Sequence, residues 1–159
     1  MAADEDERYM RLALDLASAG MDAGGSPFGA VVVRDGGVLA AEHNQVLQTS
    51  DPTAHAEVTA LRAAARAAGS HDLAGCTVYS TTEPCPMCFS AIHWANCDRI
   101  VYGAGIGDAA GVGFRELSIS NDEMRRLGGS SLVVDGGVLA EEARAQFADF
   151  AGRPGRRTY

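Results

Sequence analysis

Lysine is missing altogether. All 13 basic residues of this 159-residue chain are arginine, set against 21 Asp and Glu for a formal charge of −8. Without lysine there is no Schiff-base catalysis, no lysine anchor for pyridoxal phosphate and no P-loop lysine. The negative balance argues against a nucleic-acid partner, since phosphate backbones are gripped by clustered cations. Only Arg153, Arg156 and Arg157 gather positive charge. No stretch approaches the roughly 18 apolar residues of a membrane helix, so no membrane partner is expected. The acidic run from Met1 to Arg8 reads as neither a secretory signal nor a transit peptide.

What is present fits one compact domain spanning residues 1–159. Hydrophobic residues make up 47% and charged residues 21% of the chain, a composition that supports a buried core without disulfide help. Cysteines stand at 76, 85, 88 and 97. With no secretory signal in view, metal or catalytic use is expected of them rather than a disulfide framework, in a reducing, cytoplasmic setting.

Apolar spacing predicts a helix over 7–20, a strand over 28–33, a turn at Arg34-Asp35-Gly36-Gly37 and a return strand over 38–41. Asp51-Pro52-Thr53 reads as the start of a helix that Gly69 stops. Further strands are expected over 76–80, 99–102 and 131–134, and helices over 86–95, 121–127 and 138–150. This order predicts a three-layer α/β/α domain around a central mixed five-stranded sheet.

Two motifs carry chemistry: His55-Ala56-Glu57, and Pro84-Cys85-Pro86-Met87-Cys88 at a strand-to-helix junction. With Pro86 as first helical residue, Cys85 and Cys88 project from one side of the first turn. There the helix dipole favours thiolates, the form that binds zinc. A Cys-x-x-Cys pair alone admits a metal site, a redox disulfide or chance. A His-x-Glu alone admits a core histidine with a solvated glutamate. Together they favour a metal held by His55, Cys85 and Cys88. Three protein ligands leave a place for water, as catalytic zinc does and structural zinc does not. Two thiolates cancel the charge of Zn²⁺ and leave its water weakly acidic, so a nearby base is needed, and Glu57 is the candidate. Cys76 and Cys97 read as buried apolar residues.

The pairing of His-x-Glu with Pro-Cys-x-x-Cys resembles the signature of the cytidine deaminase superfamily of zinc hydrolases. Pro27 to Val33, Asp51 to Glu57 and Glu83 to Cys88 extend the likeness. Within that superfamily the chain is most similar to the bacterial guanine deaminases, on Ser50 to Ala60, Ala91-Ile92-His93-Trp94-Ala95, Gly113-Phe114-Arg115-Glu116 and the terminal Tyr159.

The resemblance implies a cytidine-deaminase-like fold with one Zn²⁺ per subunit on His55, Cys85 and Cys88. It implies Glu57 as proton shuttle and Glu116 as a second catalytic carboxylate. Asn44 and the backbone near Ala54 would bind a nucleobase, walled by Phe28 and Trp94. It also implies a homodimer in which the tail, about 151–159, is exchanged and Tyr159 enters the neighbouring subunit's site. Arg115 and His93 depart from the family pattern. Plainer roles remain open: Phe28 and Trp94 as core, Asn44 as a turn cap, Glu116 as a loop residue, Tyr159 as a frayed end.

The implied reaction is hydrolysis of guanine to xanthine and ammonia. Its rivals are another aminated heterocycle (cytosine, isocytosine, a pterin, an aminotriazine or guanosine), adenosine in tRNA, and a structural zinc module.

Overall fold

Residues with alternating side chains build the sheet. The computed structural model describes residues 2–159, in which β1 (Gly29–Arg34), β2 (Gly37–His43), β3 (Cys76–Thr82), β4 (Arg99–Ala104) and β5 (Val133–Gly136) pair in the order β2-β1-β3-β4-β5. β1 runs antiparallel to β2 and β3, while β3, β4 and β5 are parallel, so the sheet is mixed. Val31, Val33, Tyr79 and Val101 face one side and Ala30, Val32, Val78 and Ile100 the other. Each set is one half of a period-two pattern, and burial of both explains why Val31-Val32-Val33 is a continuous apolar run.

Helices α1 (Ala2–Asp22) and α7 (Ala140–Gly152) cover the first face with Tyr9, Met10, Ala13, Phe147 and Phe150. α3 (Ala56–Ala68) and α4 (Pro86–Trp94) cover the second with Ala60, Leu61, Ala64, Phe89 and Ile92. Gly29 permits the closest approach: a Cβ there would lie 2.0 Å from the carbonyl oxygen of Ala13. The three layers are those expected. No helix among the described residues is long and apolar enough to cross a membrane.

Several boundaries differ from the sequence expectation for local reasons. α1 begins at Ala2 and not at residue 7, because Asp4 and Glu5 suit the positive end of the helix. Its Asp6 turns inward, pairing both carboxylate oxygens with Arg99 at 2.8 Å and accepting from the Tyr79 hydroxyl. Asp51-Pro52-Thr53 does not open a helix. The Asp51 carboxylate captures both the backbone N–H and the hydroxyl of Thr53 in a side-chain turn, and α3 starts only at Ala56. Two short helices, α2 (Val46–Thr49) and α5 (Ile106–Gly111), carry too little pattern to be foreseen. β5 lies two residues later than expected. α6 (Asn121–Gly128) begins where predicted, with Ser120 accepting from the Glu123 N–H. Gly69 ends α3 in the left-handed conformation, at φ 64°.

Candidate metal centre

The site lies at the C-terminal end of the parallel strands, where α/β sheets commonly bind ligands. β3 delivers the chain to Glu83-Pro84-Cys85, and α3 points its N-terminus at the same place. His55 is the N-cap of α3 and Cys85 the N-cap of α4, and neither side chain makes a capping hydrogen bond. Both are therefore free to face a common centre. The extended backbone at His55 (φ −60°, ψ 156°) resolves the spacing problem of His-x-Glu: the imidazole lies off the helix end while Glu57 stands inside the first turn.

His55 Nδ1 is 3.6 Å from Cys85 Sγ and 3.5 Å from Cys88 Sγ. Tetrahedral zinc, with Zn–S of about 2.3 Å and Zn–N of about 2.0–2.1 Å, sets an S···N separation of about 3.6 Å. Both S···N separations thus match edges of a zinc tetrahedron. Among the described residues no fourth ligand joins these three, which suits an open, catalytic coordination. The Cys88 hydrogen bond, aided by His55 and opposed by burial, brings the Cys85 thiol down to about 4, so this sulfur is a ready thiolate. Cys88, donating to Cys85 and buried, is pushed well up. Burial lowers the pKa of His55, but the hydrogen bond to Cys85 and the charge of Glu57 outweigh it and the net shift is upward.

Glu57 is buried beside the cluster without belonging to it. Its Oε2 accepts from Cys88 Sγ at 3.4 Å and its Oε1 lies 2.8 Å from Ser80 Oγ. Burial first, then the Cys85 charge, raises its pKa. Ser80 also lies 2.7 Å from the carbonyl of Thr82, which can only accept. With one hydroxyl hydrogen between two acceptors, Ser80 can serve Glu57 as donor when the carboxyl is ionised and as acceptor when it is protonated. Glu116, half-buried, is raised to about 7 by burial and by the Cys85 charge.

These groups open into a cavity of about 320 Å³, within the range of small-molecule sites. Phe28, Phe114 and Tyr159 supply its aromatic walls, Asn44, Thr82 and Glu83 its polar edges, and Arg115 and Glu116 its rim. Phe114 meets Phe28 edge-on at 4.9 Å and Tyr159 edge-on at 5.3 Å.

Of the residues singled out in the sequence, His55, Glu57, Cys85, Phe28, Asn44, Glu116 and Tyr159 line this cavity, and Cys88 lies beneath it. Two do not reach it. Trp94 ends α4 and is 80% exposed, over a shallow surface pocket shared with His93 and Met124; the remaining aromatic wall is Phe114. Ala54 is held in the Asp51 turn, its N–H on the Asp51 carbonyl and its carbonyl on the Gln45 N–H, and Pro52 lines the cavity in its stead.

Within the single chain Tyr159 reaches the cavity. Its backbone carbonyl accepts from the Arg115 N–H at 2.9 Å and its hydroxyl from the Asn44 amide at 2.5 Å. Asn44 has two partners: its Oδ1 also caps the Val46 N–H. Cys76 and Cys97 are buried and free, as expected. The sequence reading passed over Ser80, Thr82, Glu83 and Phe114. Of these Glu83 and Phe114 carried a signal, since both stand in segments that bear the resemblance, Glu83 to Cys88 and Gly113 to Glu116.

The model of the cytidine and deoxycytidylate deaminase zinc-binding region matches residues 3–104, with all three candidate ligands and Glu57 inside the match. The chain belongs to this family. Its members are zinc-dependent hydrolases of a C–N bond, and the geometry above fits that metal. Guanine deaminase of Bacillus subtilis is 48% identical over 114 residues, covering 71% of this chain and 73% of that protein. The tRNA-specific adenosine deaminase of Haemophilus influenzae is 38% identical over 146 residues, covering 91% and 82%. The solved guanine deaminase of Nitrosomonas europaea superposes with a TM-score of 0.86 at 32% identity, covering 92% of this chain and 85% of that one. This deaminase therefore has relatives acting on a free base and on tRNA.

Proposed function

We propose that this deaminase hydrolyses guanine to xanthine and ammonia. The observation that carries the choice of a free base is Tyr159, seated over the cavity and bonded to Asn44 and to the Arg115 backbone. A cavity roofed by the chain's own terminus suits a flat heterocycle without a polymer attached. Aromatic walls at Phe28 and Phe114 offer faces and edges for such a ring. The formal charge of −8 also disfavours a polynucleotide.

Zinc on His55, Cys85 and Cys88 would supply the polarisation that makes water nucleophilic. The remaining work falls to the chain. Glu57 takes the proton of that water on Oε2, the oxygen turned away from Ser80, and hands it to the ring nitrogen beside C2. Ser80 holds Oε1 and keeps the carboxyl from rotating. Glu116, raised to about 7, gives a proton to the departing amine and regains one from the hydroxyl left on C2 as that becomes the product carbonyl. Asn44 orients the base through its amide. Free cysteines at Cys76 and Cys97 suit a reducing cytoplasm.

The test is ammonia release from guanine by the zinc-loaded protein, with Glu57→Ala as blank. Release by the wild type alone supports the reading; no release rejects guanine and leaves cytosine, isocytosine, pterins, aminotriazines or guanosine. A second reading, deamination of adenosine in tRNA, rests on the 91% coverage by the Haemophilus relative. Inosine formation in a tRNA substrate would favour it.

A further inference from the structure

Glu83 precedes Pro84 and Cys85, and its backbone N–H donates to the carbonyl of Ala104 at 2.7 Å, fixing it at the end of β4. Its two carboxylate oxygens have different partners. Oε2 accepts from the Ile106 N–H at 3.2 Å, and Oε1 from the Asn121 N–H at 2.8 Å. Ile106 is the first residue of α5 and Asn121 the first of α6, so one carboxylate caps two helices. The bond is returned: Asn121, 0% exposed, donates its side-chain amide to the Pro84 carbonyl at 2.6 Å. Glu116 lies on the irregular segment between these two helices.

We propose that Glu83 is a positioning residue that fixes both ends of segment 106–121, and so places Glu116 relative to the zinc-ligand turn. This rests on the reading of Glu116 as the second catalytic acid. A carboxylate is required because each oxygen must accept, and because two helix N-termini favour negative charge between them. Glutamine has one accepting oxygen, and its NH₂ would meet a second donor. With each oxygen accepting from a helix N-terminus, Glu83 is held in place at the cavity edge.

The experiment is Glu83→Gln in the zinc-loaded full chain, read in three ways. Amide exchange over 106–121 should quicken about fivefold or more, as on loss of a helix cap, while α4 stays protected. Zinc should remain at one per chain. The kcat should fall about tenfold or more in the wild-type background but change less than about threefold in a Glu116→Gln background, the non-additivity expected of residues acting as a unit. Unchanged exchange, loss of zinc, equal losses in both backgrounds, or a raised KM with unchanged kcat would each overturn the proposal. If Glu116→Gln itself leaves turnover intact, the functional reading fails, and the exchange arm still decides whether Glu83 holds the segment. Should Glu83→Gln fail to fold, Glu83→Asp keeps the charge but shortens the reach to the Ile106 and Asn121 N–H groups, and is read the same way.

Discussion

The hydroxyl of Tyr159, the last residue, is bonded to the amide of Asn44, 115 positions earlier in the chain. Within one chain the tail thereby covers the polar edge of the cavity in cis; in the expected exchange between subunits the same contacts would form in a neighbour's cavity. The two arrangements are separated by mixing a chain truncated after residue 152 with full-length Glu57→Ala. A tail that serves its own chain restores no activity, because neither protein has both parts. Recovered turnover would place the tail in a partner's cavity.

Glu57→Gln should cut turnover by about 10²–10⁴, the usual worth of a general acid–base group. It should leave zinc bound, since Glu57 stands beside the ligands and not among them. Metal analysis and steady-state kinetics on one preparation check both parts. Loss of zinc would make Glu57 a ligand.

Zinc affinity should rise with pH. Cys85 is already a thiolate at neutral pH, but Cys88 is held protonated by its hydrogen bond to Cys85 and by burial. Binding must therefore displace a proton from Cys88. Because the His55 pKa is also raised, calorimetry in two buffers of different ionisation enthalpy would report release of about one proton per zinc at mildly alkaline pH and more as pH falls toward the imidazole's range. His55→Ala should bind no stoichiometric zinc.

Acid should destabilise the opposite end of the sheet through Asp6. Its hydrogen bonds to Arg99, and secondarily to Tyr79, outweigh burial and hold the carboxyl below its usual value. The folded value lies below the unfolded one, so this contribution is complete above the unfolded carboxyl's range and disappears as pH falls through the folded value. Asp6→Asn should cost about 1–3 kcal/mol at pH 7, the range for hydrogen bonds to a charged group, reduced because the Arg99 guanidinium is part-exposed. The gap from wild type should shrink below about pH 4, measured by urea unfolding at both pH values.

The ligand set was legible because its members lie on short local motifs at helix starts. The sheet was legible because burial on both faces leaves runs such as Val31-Val32-Val33. What stayed hidden depends on partners distant in sequence. Glu83 and Asn121 stand 38 positions apart, and nothing in either local sequence points to the other. Phe114 becomes a wall only when it packs edge-on to Phe28 and Tyr159. Asp51-Pro52-Thr53 carries helix-start and turn chemistry at once; the Asp51 carboxylate decides for the turn, which engages the backbone N–H and carbonyl of Ala54. Trp94 faces outward because α4 ends there, beyond the residues that pack on the sheet.

The N-caps His55 and Cys85, which make no capping bonds because they face the metal site, set stability against activity. Ser, Asp or Asn at such a position would accept from the first turn and add about 1 kcal/mol each. His55→Asp with Cys85→Ser should therefore yield a protein that melts higher in the absence of metal than the wild type does, and that no longer works. Selection for heat resistance alone would erode this site first.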